Sequence, residues 1–110
     1  MKKGRRDKPG ASFVALDRKL IFRCESFRQL SPAAVTLYIY LKAKFNGSNN
    51  GAIRFHYSEL EGVKGFCSPE TISRTFKELE GAGWIKRTHV GGLYRFQNDY
   101  QLTGQFDDRV

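Results

Sequence analysis

The dipeptide Ser-Pro occurs twice in this chain, at 31–32 and at 68–69, and each time it precedes apolar residues at helical spacing. A serine suits the N-cap of a helix because its side-chain oxygen accepts a hydrogen bond from an otherwise unpaired backbone N–H. Proline suits the first helical position, where no N–H is needed. We therefore predict one helix over 31–45 and a second over 68–80, and the remaining elements must fit around this pair.

Short β-strands are predicted on either side of the second helix. Residues 52–55 (AIRF) form a strand candidate, and a brief helix follows from residue 56 or 57 to 63. Residues 84–90 and 93–102 are two further strand candidates. Gly91-Gly92 between them is typical of a tight hairpin turn. The expected fold class is α+β, with a three-helix core and a C-terminal β-hairpin.

The N-terminal segment is more basic than the rest of the chain. Residues 1–30 hold nine Lys and Arg against three Asp and Glu, a net charge of +6, whereas residues 31–110 hold ten against eight, a net charge of +2. We interpret residues 1–12 as a flexible basic arm. Its cations are Lys2, Lys3, Arg5, Arg6 and Lys8.

Two short helices are predicted between this arm and the first main helix. Asp17 is an N-cap type that can open the first of them, and the second covers 25–29. These helices form a short lead-in at the start of a single domain that spans 13–103. Residues 104–110 are polar, and we expect this tail to fray.

Size and charge limit the classes of protein to which the chain can belong. A chain of 110 residues with 40% hydrophobic residues has the size and composition of one folded domain. A net charge of +8 favours polyanionic partners such as nucleic acid or an acidic lipid surface. No apolar stretch approaches the roughly 20 residues of a membrane span, and no signal peptide follows the basic start. We therefore expect no membrane partner and a cytoplasmic location.

The sequence gives no indication of catalysis or of a bound cofactor. The chain has two cysteines and two histidines, at Cys24, Cys67, His56 and His89. They lack the short sequence spacings of a structural zinc site. There is no glycine-rich phosphate loop and no nucleophile with an evident base. We expect no metal, no cofactor, no small-molecule ligand and no enzymatic activity.

The order of these elements resembles the winged helix-turn-helix DNA-binding domains of phage and plasmid replication proteins and of small bacterial transcription regulators. The matching stretches are LSPAAVTLYIYL at 30–41, SELEGVKGFCSPETISRTFKELEGAGWI at 58–85 and the glycine-tipped hairpin. The family pattern of the recognition helix and of the start of the wing is matched by Ser68, Thr71, Ile72, Leu79, Gly83, Trp84 and Ile85. The turn before Ser68 is one residue longer than the family's usual turn.

The resemblance implies sequence-specific binding of double-stranded DNA, in transcription regulation or in replication initiation of a mobile element. With Ile72, Phe76 and Leu79 inward, the opposite face of the second main helix carries polar residues, Glu78 among them. Arginine is suited to bidentate pairing with guanine, and hydroxyls near a helix start reach phosphates. The candidate DNA contacts of this helix are Ser68, Glu70, Thr71, Ser73, Arg74 and Lys77.

Two further regions are candidate DNA contacts. The hairpin, or wing, carries Lys86, Arg87, His89, Tyr94 and Arg95 around its glycine tip, and these side chains suit a phosphate backbone or a minor groove. The alternative is that Lys86 and Arg87 only keep an edge strand soluble. The basic arm is the other region, and its alternative role is likewise solubility.

Val35 and Ile39 lie away from the main apolar stripe of the first helix. Either the segment 13–30 packs against them or they form the contact of a homodimer. The alternative function is therefore a winged-helix module for protein interaction or assembly, without sequence-specific DNA binding. RNA binding is a weaker option, because the aromatic motif of an RNA-recognition domain is lacking.

Overall fold

The computed structural model describes residues 13–90 and 97–107. The basic arm, the Gly91-Gly92 turn and residues 108–110 lie outside these ranges. The elements in chain order are α1 (Arg18–Arg23), α2 (Glu25–Arg28), α3 (Pro32–Lys44), β1 (Ile53–His56), a 3₁₀ helix (Tyr57–Leu60), α4 (Pro69–Gly81), β2 (Ile85–Val90) and β3 (Gln97–Leu102). The predicted α+β class is confirmed.

Both main helices begin at the predicted prolines. The Ser31 hydroxyl oxygen accepts a hydrogen bond from the backbone N–H of Ala34 at 3.1 Å. The Ser68 hydroxyl oxygen does the same for the N–H of Thr71 at 3.2 Å. Each serine thereby satisfies one of the unpaired N–H groups of a helix start. Within the described ranges, no helix has both the length and the apolar character that crossing a membrane requires.

The three strands form one antiparallel sheet with β3 in the centre, in the order β1-β3-β2. Ile53 of β1 lies opposite Tyr100, and Ile85 of β2 lies opposite Leu102. The Asn50 side chain accepts from the Leu102 N–H at 2.7 Å and donates to the Leu102 carbonyl at 2.9 Å. This side chain therefore continues the hydrogen-bond ladder between β1 and β3 past the first residue of β1.

A single hydrophobic core lies between α3, α4 and the sheet. α3 and α4 pack against each other through buried apolar residues that include Leu37, Leu41 and Leu79. Phe76 of α4 stacks on Tyr100 of β3 at a ring-centroid distance of 4.8 Å. The buried face of α4 thus joins the helix pair to the central strand, which leaves its opposite face toward solvent.

The lead-in forms the two short helices that the sequence predicts. Asp17 caps α1, since its carboxylate accepts from the Lys19 N–H at 2.9 Å. Leu20 is the buried residue of α1. Phe27 of α2 packs edge-to-face against Tyr38 and Trp84, with ring-centroid distances of 6.5 and 5.6 Å. The lead-in therefore covers the Tyr38 side of α3.

Up to residue 107 the tail packs against the domain, whereas the sequence predicts that it frays. Phe106 lies against Trp84 at a ring-centroid distance of 4.7 Å. The buried Asp107 carboxylate accepts from the Tyr38 hydroxyl at 2.7 Å and from the Lys42 ammonium at 2.9 Å. The polar composition of this segment suggested solvent exposure, but a buried cation on α3 gives Asp107 a partner in the core.

Candidate nucleic-acid interface

The outward face of α4 brings together most of the predicted recognition residues. Glu70, Arg74 and Lys77 are exposed, and Ser73 is half-buried between them. These four positions fall within an arc of about 100° on the helix. The opposite face holds the buried Ile72, Thr75, Phe76 and Leu79. The sequence periodicity therefore predicted the orientation of α4 correctly at these positions.

Arg74 and Lys77 have no ion-pair partner among the described residues. Glu70 stands one helical turn before Arg74, but no ion pair joins the two side chains. An exposed cation that is not held by a neighbouring carboxylate keeps its hydrogen-bond donors available for an external anion. The outward face of α4 therefore offers two cationic side chains to a ligand.

Ser68 and Thr71 are engaged with each other at the start of α4. Their hydroxyl oxygens lie 3.1 Å apart, and the Ser68 oxygen also accepts the Thr71 N–H. Both residues are half-buried. Their primary role in the structure is to cap the helix. A phosphate at this end would meet the hydroxyl hydrogen that the pair does not use internally, together with the positive end of the helix dipole.

Glu78 is turned away from the outward face, which corrects the prediction that it belongs to the polar face of this helix. Its carboxylate oxygens accept from the Ser31 backbone N–H at 2.9 Å and from the Ser31 hydroxyl at 2.8 Å. The start of α3 is thereby tied to the last turns of α4. A capping contact with a residue distant in sequence outweighs the helical pattern here, and it removes a negative charge from the candidate interface.

The wing residues differ in how available they are. Arg87 is half-buried and donates two hydrogen bonds to the Glu80 carboxylate, at 3.0 and 2.9 Å. These bonds to Glu80 raise the pKa of the Arg87 guanidinium. Lys86 is exposed, with no ion-pair partner in the described ranges. Arg87 thus links β2 to α4, whereas Lys86 faces solvent.

The remaining predicted wing and arm contacts lie outside the described residues. These are Tyr94 and Arg95, the side chain of His89, and the arm cations Lys2, Lys3, Arg5, Arg6 and Lys8. The backbone of β2 has an irregularity between Arg87 and His89, at Thr88. The Thr88 hydroxyl donates to the Gly51 carbonyl at 2.6 Å, which fixes β2 to the loop before β1.

Acidic residues elsewhere in the domain are also held by cations. The Glu59 carboxylate accepts from the Lys44 ammonium at 2.7 and 2.8 Å and from the His56 N–H at 2.9 Å. Desolvation of Glu59 acts to raise its pKa, but the bonds from His56 and Lys44 outweigh it and leave the pKa below its usual value. Asp99 pairs with Arg54 at 3.2 Å. These two carboxylates are therefore held by neighbouring cations.

The outer face of α3 carries no charged side chain. Ile39 and Tyr40 are each 37% exposed, whereas Val35 is half-buried. The two lysines of α3 point elsewhere, Lys42 to Asp107 and Lys44 to Glu59. The uncharged face spans an arc of about 160°. It consists of Ala33, Pro32, Val35, Thr36, Ile39, Tyr40 and Ala43.

Comparison of the chain with protein-family models, with curated proteins and with solved structures finds no significant match. The geometry of these surfaces is therefore what indicates the function.

Proposed function

We propose that this protein binds double-stranded DNA in a sequence-specific manner, as a winged helix-turn-helix protein with α4 as its recognition helix. Its role would be transcription regulation or replication initiation of a mobile element. One observation carries the proposal: Arg74 and Lys77 are exposed on the outward face of α4 without an ion-pair partner among the described residues. Glu78 and Glu80 of the same helix are held by Ser31 and Arg87.

The order of the elements supports the winged-helix proposal. α3 and α4 pack against each other, and the antiparallel strands β2 and β3 follow α4 directly. A long exposed helix with one polar face fits the major groove of DNA. Lys86, on the strand after α4, would then lie along the phosphate backbone.

Each side chain has a distinct role in this proposal. Arg74 would donate two hydrogen bonds to the major-groove edge of a guanine, which specifies sequence. Lys77 and Ser73 would contact phosphates, which fixes the position of the helix but not the sequence. Glu70 would accept from the amino group of a cytosine, the pairing that suits a carboxylate in this groove.

The proposal is tested by selecting bound duplexes from a random pool and then titrating the selected duplex with variants. Arg74→Ala should weaken binding by about 1–3 kcal/mol and relax specificity at one base pair. Lys77→Ala should weaken binding to all duplexes alike and lower the salt slope by about 1. Arg28→Ala is the matched control, since it removes an exposed cation from α2. Unchanged binding by the α4 variants, or a pool without an enriched sequence, would refute the proposal.

The uncharged face of α3 favours a second candidate function, self-assembly. A helix that is apolar on every side is normally covered. A neutral face attracts neither a polyanion nor a charged surface, whereas a second copy of this chain supplies a matching neutral face through two-fold symmetry.

Sedimentation at several concentrations tests this candidate. It should show a dimer that Ile39→Glu disrupts. A monomer at all concentrations would exclude this candidate.

A further inference from the structure

The three most exposed large hydrophobic residues among those that the structure describes lie in the lead-in. Phe22 is 73% exposed, Phe13 is 64% exposed and Ile21 is 46% exposed. Only Leu20 of α1 is buried. Isolated exposed apolar residues are common on protein surfaces, but two phenylalanines and an isoleucine within ten positions indicate a binding surface.

The same segment is cationic. Arg18, Lys19 and Arg23 of α1 are exposed and have no ion-pair partner among the described residues. Residues 13–23 hold one acidic residue, Asp17, whose carboxylate caps α1, and the next acid, Glu25, lies on α2. A partner that covers the exposed rings must therefore also satisfy three positive charges, so it is anionic.

The arrangement of rings and cations discriminates between anionic partners. Around the axis of α1, Ile21 and Phe22 are separated by an arc of about 100°, and Arg18 lies between them. Lys19 and Arg23 lie next to Phe22 on the exposed side of the helix. A helix that lies in a membrane surface separates its apolar face from its cationic face, which this helix does not do. A second copy of the chain would bring like charges together.

An unpaired nucleic-acid strand matches both features. Each nucleotide offers a base whose flat face can stack on an aromatic ring and a phosphate that attracts a cation. The bases of a duplex already stack on each other, so an exposed phenylalanine gains little from a duplex. Aromatic rings interspersed with Lys and Arg are the arrangement by which proteins bind single strands without sequence preference.

We propose that residues 13–23 form a binding site for single-stranded nucleic acid. Phe13 and Phe22 stack on bases, and Arg18, Lys19 and Arg23 contact phosphates. This site lies on a different element from the duplex-binding face of α4 and does not depend on it. A protein with both surfaces holds a duplex at α4 and a separated strand at the lead-in, as opening of a DNA site requires.

The test is fluorescence anisotropy of the full chain with a labelled thymidine oligonucleotide of about 20 nucleotides, longer than the ~4–16 that a single-strand-binding domain covers. Phe13→Ala/Phe22→Ala should weaken binding about a hundredfold, because each of the two stacked rings contributes roughly tenfold. Val14→Ala is the matched control, since it trims an exposed aliphatic side chain of the same segment that has no role in the proposed site. The control and Phe13→Tyr/Phe22→Tyr should bind within about twofold of the unmodified chain, because neither loses a stacking ring.

Further arms separate this proposal from its competitors and from duplex binding. Arg74→Ala/Lys77→Ala should bind the oligonucleotide normally, so a failure of the α4 proposal leaves this one intact. A uridine oligonucleotide should bind similarly to thymidine, because stacking and phosphate contacts do not involve the 2′-hydroxyl. Equal binding by Phe13→Ala/Phe22→Ala and the unmodified chain would overturn the proposal. Two further results would also overturn it. In one, the unmodified chain binds anionic phosphatidylglycerol vesicles and Phe13→Ala/Phe22→Ala does not. In the other, the unmodified chain forms a dimer in sedimentation and Phe13→Ala/Phe22→Ala does not.

Discussion

At the scale of single residues, Asp107 is the position where the structure differs most from what its sequence context predicts. It follows a polar run, and its partners Tyr38 and Lys42 precede it by 69 and 65 residues. Composition reports local polarity and carries no information on such distant contacts. A buried lysine is costly unless a carboxylate accompanies it. The charge on Lys42 therefore explains why a terminal aspartate lies in the core.

Asp107→Ala should lower the free energy of unfolding by about 3–5 kcal/mol, because it leaves the buried Lys42 ammonium without this carboxylate. The double variant Lys42→Met/Asp107→Leu should lose considerably less, since it replaces the ion pair by apolar groups. Urea denaturation measures both, with Gln105→Ala as a control in the exposed part of the same segment. A loss below about 0.5 kcal/mol for Asp107→Ala, the range of ordinary surface changes, would mean that the tail frays after all.

Tyr38 makes the same cluster sensitive to alkaline pH. Burial, the hydrogen bond to Asp107 and the charge of Asp107 raise the pKa of the Tyr38 phenol above its ordinary value. The unfolded chain therefore releases this proton first as the pH rises past about 10. The resulting loss of stability approaches about 1.4 kcal/mol per pH unit for this one group. Tyr38→Phe should show a shallower decline when urea midpoints are compared between pH 8 and 11. Equal declines would show that the Tyr38 phenol does not contribute.

At the scale of elements, the sequence predicts the helices and strands well because their signals are local. The serine caps, the first-turn prolines and the apolar spacing of α3 and α4 lie within a few residues of each other. The orientation of Arg74 and Lys77 follows from the same periodicity. The roles of Glu78 and Arg87 could not be predicted, because the Ser31 partner of Glu78 lies 47 positions away and pairing of Arg87 with Glu80 depends on how β2 packs beside α4.

The contact between Ser31 and Glu78 joins the two main helices, and its removal should loosen that junction. Ser31→Ala should cost about 1–2 kcal/mol, since it removes a cap and the hydroxyl that Glu78 accepts from. Ser68→Ala removes a cap without such an interhelical bond and should cost about 1 kcal/mol. In a double-mutant cycle by urea denaturation, Ser31→Ala and Glu78→Gln should be coupled, whereas Ser68→Ala and Glu78→Gln should be additive. Additivity of the first pair would contradict the interhelical role.

At the scale of the whole molecule, net charge alone is a poor guide to the binding surface. Residues 31–110 carry a net charge of only +2, and many of their acids are held in contacts with neighbouring cations. Among the described residues, the exposed cations without an ion-pair partner lie on α4, at Lys86 and on the lead-in, together with Lys64 in the loop before α4. The sequence alone indicated the first two sites. It did not reveal the third, because exposure of Phe13 and Phe22 depends on which side of the lead-in packs against α3.

The central claim is that the outward face of α4 meets double-stranded DNA. It is tested most directly by recording the amide NMR spectrum of the ¹⁵N-labelled chain during titration with a selected duplex. The largest shifts should fall on the amides of residues 70–77 and on Lys86, and they should be much smaller in Arg74→Ala/Lys77→Ala. Shifts confined to α3, or no change on α4 under conditions where the duplex is bound, would contradict the account.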